Sequence, residues 1–194
     1  MRKNIKTLLV LLVVVLCISL FFNFLFYKVN QERNNYYTIY MHDIFHEVKD
    51  AIEEIDSILK EKNKVDLHLS FLSLTENLSI LDYMVSRVPY YTEGMGGTLN
   101  YLETTLAVIN QGTTYKGNNI PSFVENDKLD QQEIAFLKLL KSYFITIYNQ
   151  LRSEETGQLS KQITKSKFQD IIDENMFGFR KADELLEEYI KHRN

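Results

Sequence analysis

The chain opens with one unbroken apolar run and then changes its period. Residues 7–27 read TLLVLLVVVLCISLFFNFLFY, with no charge between Lys6 and Lys28, and 16 of the 21 are Leu, Ile, Val or Phe. A helix rises about 1.5 Å per residue, so the run reaches the roughly 30 Å of a hydrocarbon core. Each of these side chains favours insertion by about 0.3–0.6 kcal/mol, which outweighs Ser19 and Asn23. A cleaved signal has an apolar region of roughly 7–15 residues and a small-residue exit; this run is longer and contains no alanine. Cys17 follows Leu16, which does not suit lipoprotein processing. The pattern predicts a cytoplasmic tail at 1–6, a retained transmembrane signal anchor at 7–27 and an extracytoplasmic region at 28–194.

Beyond the anchor, apolar positions recur at alternating steps of four and three, the seam of packed helices. Tyr37, Met41, Ile44, Val48, Ala51, Ile55 and Ile58 predict a first helix over 35–62, widened by Phe45, Ile52 and Leu59. No breaker separates it from the anchor. Leu67, Phe71, Leu74, Leu78, Leu81, Val85 and Val88 predict a second helix, stopped by Pro89. A third carries Met95, Leu99, Leu102, Leu106 and Ile109, with Gly112 as its C-terminal cap. Residues 112–126 read as an irregular connection, long for a helix–helix link. Asp130 and Glu133, spaced as a capping box, open a fourth helix with Leu137, Leu140, Phe144, Ile147 and Leu151. A fifth is announced by Ser166 with Gln169 and runs to about residue 192, its stripe of Phe168, Ile172, Phe179, Ala182, Leu186 and Tyr189 interrupted by Asn175. The expected fold is all-α: an N-terminal transmembrane helix followed by an extracytoplasmic antiparallel helical bundle of four to five helices.

Charge fixes the expected orientation. Arg2, Lys3 and Lys6 precede the anchor without an acidic residue, which places the N-terminus in the cytoplasm. Removing these three cations from the net charge of −4 leaves −7 for residues 28–194. Such an acidic exterior disfavours nucleic acid and a grip on anionic lipid headgroups. The single cysteine lies inside the anchor, so no intrachain disulfide forms. The absence of Trp and the abundance of Asn, Lys, Ile and Tyr suit a low-GC Gram-positive cell envelope.

Candidate chemistry is sparse. His42 and His46, four apart on one helical face, are weak candidates for a metal, and they need ligands from elsewhere. The Gly94-Met95-Gly96-Gly97 run lacks the strand and the Lys-Ser/Thr of a phosphate loop. No nucleophile–base pair and no opposed carboxylates are visible, so neither catalysis nor a cofactor is expected. Tyrosine and phenylalanine offer contact area at low entropic cost. Tyr90 and Tyr91 after Pro89, with Tyr115 and Phe123 in the long connection, are the partner-surface candidates. The expected function is a membrane-anchored interaction or scaffolding protein of the bacterial cell envelope. It would contact the lipid bilayer through residues 7–27 and another envelope protein, or a second copy of itself, beyond it. The alternative is an extracytoplasmic small-ligand-binding or sensory module acting through a membrane partner, with Asn175 as the polar group in its site.

Overall fold

The computed structural model describes residues 2–60, 64–87 and 101–192. Tyr90, Tyr91, Pro89 and the Gly94–Gly97 segment lie outside them, as do the seam positions Val88, Met95 and Leu99. Among the described residues the chain is mostly helix, 78% with six helices, and the all-α expectation holds at that level. The order is α1 (Arg2–Lys60), α2 (Lys64–Val85), α3 (Tyr101–Gln111), β1 (Thr113–Tyr115), β2 (Asn118–Ile120), α4 (Gln131–Leu151), α5 (Lys165–Met176) and α6 (Phe179–Lys191). By contacts the chain divides into two units, Met1–Ile39 and Tyr40–Asn194.

In the first unit, α1 carries the apolar run. Among the described residues this is the one helix long and apolar enough to cross a membrane, and none of its apolar window is buried. A core helix of a water-soluble protein hides such a surface; here Val10 to Phe26 stand open.

The second unit buries the stripes read from the sequence. Met41, Ile44, Val48, Ala51, Ile55 and Ile58 of α1 are all buried. Leu67, Phe71, Leu74, Leu78, Leu81 and Val85 of α2 are buried too, with Leu137, Leu140, Phe144, Ile147 and Leu151 of α4. In α3 the buried face is Tyr101, Leu102, Thr105, Val108 and Ile109, so Leu106 stands at its edge. Aromatic contacts join the elements. Phe45 of α1 stacks on Tyr148 of α4 at 5.0 Å between ring centroids, and Tyr40 meets Phe168 of α5 at 6.2 Å. Helix α2 packs with α3, and α4 with both α5 and α6.

Three expectations change. Residues 112–126 are not irregular throughout: β1 and β2 form an antiparallel hairpin with Thr113 opposite Ile120 and Tyr115 opposite Asn118. The turn residues Lys116 and Gly117 both have positive φ, 48° and 78°, as a two-residue hairpin turn of the primed type requires. The predicted fifth helix is two helices. Its front cap is Thr164 rather than Ser166: Thr164 is extended and its hydroxyl accepts from the Lys167 N–H at 3.2 Å. It ends at Met176, and the chain turns through Gly178 at φ 108° before α6 begins. The carbonyls freed by that break are met by Lys181, whose Nζ donates to Asn175 O at 2.6 Å and Glu174 O at 3.4 Å. The start of α4 follows the reading. Asp130 accepts from the Glu133 N–H at 2.7 Å, and Glu133 Oε2 accepts from the Asp130 N–H at 2.9 Å, a complete capping box.

Candidate functional site

His42 and His46 sit on the solvent side of α1, both exposed, with ring centroids 6.4 Å apart. Among the described residues no third His, Cys, Asp or Glu completes a metal-binding group with them. Asp43 and Glu47 share that turn of the helix. Burial, then the nearby Asp50 and Asp43 carboxylates, push the Glu47 carboxyl above its ordinary range.

The two aromatic candidates in the connection part company. Phe123 is a correction: it is fully buried and unavailable as a surface. Its ring lies 5.2 Å from Phe136 and 6.2 Å from Phe71, both edge-on, and stacks on Tyr189 at 5.7 Å. The backbone explains why. Phe123 N–H and Val124 N–H both donate to Ile109 O, and the Ser122 hydroxyl reaches the Ile109 and Asn110 carbonyls at 3.0 and 3.2 Å. The segment after the hairpin thus closes the end of α3, and Phe123 drops into the core. Tyr115 is half-buried at the hairpin, where its hydroxyl donates to Asp183 Oδ1 of α6 at 3.0 Å. Lys116 beside it pairs with Glu187 of the same helix.

Asn175 is committed internally. Its amide donates to Gln150 Oε1 at 3.1 Å and to Ile171 O at 2.8 Å, so it is not the open polar group of a ligand site. Around Lys181 lie the rings of Tyr143 at 5.2 Å and Tyr101 at 6.0 Å. Tyr143 donates to Glu184 Oε2 at 2.7 Å, and the Tyr101 hydroxyl faces Met176 Sδ at 3.5 Å. Burial lowers the Lys181 ammonium and raises both phenols, the direction expected when charge leaves water. These groups satisfy one another across α3, α4, α5 and α6.

The outer side of α2 presents a further apolar surface. Val65, Leu69, Leu72, Ile80 and Tyr83 are exposed, with Val65 at 63% and Leu69 at 57%. At about 100° per residue, these positions cluster on one side of the helix, opposite the buried Leu67–Val85 seam. The signal was present in the sequence as a second apolar stripe offset from the first. Beside it runs a groove of about 290 Å³ between α1 and α2, lined by Glu47, Asp50, Glu53, Glu54, Glu76 and Ile80 among others. Glu53 pairs with Lys49 at 3.1 Å, Glu54 accepts from the Ser73 hydroxyl at 2.8 Å, and the Asn77 amide faces Glu47. Compared with family models, with curated proteins and with solved structures, the chain matches none.

Proposed function

We propose that this chain is a membrane-anchored interaction protein of a bacterial cell envelope, without catalytic activity. Its apolar N-terminal helix segment lies in the bilayer, Arg2, Lys3 and Lys6 hold the N-terminus in the cytoplasm, and residues 28–194 form a helical bundle outside. The observation that carries the reading is the contrast within the helices. The apolar window of α1 is wholly uncovered, whereas the stripes of the second unit are buried by one another, except on the outer face of α2. Uncovered apolar surface marks either lipid or a partner, and the two exposed regions differ in the way those roles require. The α1 run is uncharged for a full membrane thickness; the α2 stripe alternates with polar positions, as a protein-facing helix does.

The test is made in whole cells with a photo-crosslinking residue at Leu69 and an epitope after Asn194. The chain should resist alkaline extraction, the epitope should be reachable by protease from outside, and Leu69 should crosslink to another protein or a second copy. An epitope accessible only from the cytoplasm, or a Leu69 position that captures no protein, defeats the reading.

A further inference from the structure

The apolar stripe on α2 is bordered unevenly, and the border says what fits it. Toward α1 it runs into the acidic groove: Glu76 and Ile80 line both the groove and the stripe. Among the described residues, Asp50 and Glu76 have no ion-pair partner, and the one cation bonded within the groove's lining is Lys49, taken by Glu53. Between His68 and Asp82 the other side of the stripe, with Thr75 and Ser79, supplies no Lys or Arg. At the C-terminal end Arg87 lies over the Tyr83 ring at 4.5 Å. The surface is therefore an apolar ridge with carboxylates along one edge.

A second copy of the chain fits it poorly. In a two-fold antiparallel pairing centred on the stripe, Leu69 meets Tyr83 and Leu72 meets Ile80, but Glu76 meets Glu76. Two like charges would be desolvated at the middle of the contact. The net charge of −7 on residues 28–194 adds general repulsion, and anionic lipid is disfavoured on the same ground.

We propose that the outer face of α2, with the α1–α2 groove, docks a basic amphipathic helix of another protein. The partner's apolar positions, spaced three and four apart, lie on Val65, Leu69, Leu72, Ile80 and Tyr83. Its Lys or Arg residues reach Asp50 and Glu76. This rests on the interaction reading above and adds the chemistry of the partner.

The experiment uses the full chain in nanodiscs of zwitterionic phosphatidylcholine and fluorescein-labelled designed peptides of about four helical turns. One peptide is built from Leu and Lys, the other from Leu and Glu at the same spacing. Binding is read by anisotropy after subtraction of empty discs. The Leu–Lys peptide should bind saturably and the Leu–Glu peptide should not. Asp50→Asn with Glu76→Gln should weaken binding about fivefold, and Leu69→Ser with Leu72→Ser by about tenfold. Raising NaCl from about 50 to about 500 mM should weaken the wild-type chain in parallel. All of these side chains are exposed or at the groove edge, and unchanged circular dichroism verifies the variants. Equal binding of both peptides, no binding beyond empty discs, or indifference to both double variants overturns the proposal. If the peptides fail while Leu69 still crosslinks to a protein in cells, the basic-helix assignment falls and the interaction reading stands.

Discussion

Gly112 and Gly157 allow backbone strain to be separated from steric room. Both have positive φ, 71° and 68°, so alanine at either meets the same left-handed penalty of roughly 1–2 kcal/mol. Their surroundings differ completely. A Cβ at Gly157 has nothing within 4 Å, whereas at Gly112 it would lie 2.5 Å from Ile120 O, 2.8 Å from Ser122 N and 2.9 Å from Pro121 C. All three are backbone atoms, so no side chain can swing aside. The strand end must move by about an ångström to reach ordinary contact, and overpacking of this kind costs roughly 1–3 kcal/mol. The movement also strains the bonds from Ser122, Phe123 and Val124 to Ile109 and pulls at Phe123 in the core. Gly157→Ala should therefore cost about 1–2 kcal/mol and Gly112→Ala about 2–5 kcal/mol. For a chain of this size, that corresponds to drops of about 5 °C and about 10 °C in Tm. The assay is thermal unfolding of the full chain in mild detergent, followed by tyrosine near-ultraviolet circular dichroism. Equal Tm values for the two variants would refute the packing of the hairpin against the end of α3.

The predictions for Phe123, Tyr115 and Glu133 use the same assay. Phe123→Ala should lower stability by about 3–5 kcal/mol, as for a buried aromatic, whereas Tyr115→Phe, which gives up one half-exposed hydrogen bond, should cost less than about 1 kcal/mol. A large Tyr115 effect with a small Phe123 effect would restore the surface role expected of Phe123. Burial raises Glu133 from 4.5 to about 7, against the hydrogen bonds from Asp130 and Asn126 that favour its charged form. The folded state then holds this proton more tightly than the unfolded state. Its contribution is complete below about pH 4.5 and is lost as the pH rises to about 7, a swing of about 3 kcal/mol. Glu133→Gln should flatten that part of the profile, and an unchanged slope would count against the buried carboxyl. Arg in place of Val14 should impair membrane insertion at a cost of about 2.5–3.5 kcal/mol, read as soluble protein after alkaline extraction; full retention would argue against the span.

The helical part of this fold was legible because burial in it is periodic. Every described seam residue of α2 and α4, and those of α1 from Met41 to Ile58, is buried as its spacing predicts. The Asp130–Glu133 box was equally plain, since both partners lie within one turn. What escaped was set by single residues or by distant contact. The hairpin rests on positive φ at Lys116 and Gly117, within strands too short to show an alternation. The break before α6 depends on Gly178 together with a lysine that reaches back to α5. Phe123 lay among turn residues, and only the bonds that close α3 take it inward. The α2 surface is a second apolar stripe half a turn from the buried seam, and spacing alone does not say which of the two faces is covered.

The aromatic group of Phe71, Phe123, Phe136 and Tyr189 draws on α2, the hairpin's return, α4 and α6. Its members are spread from residue 71 to residue 189, so the centre cannot close early in biosynthesis. Until α6 has been made, Phe123 lacks the Tyr189 ring that stacks on it, and the apolar faces around it stay open. Folding of the second unit is thus held back until synthesis is nearly finished, and a helper that shields emerging helices would act during that interval.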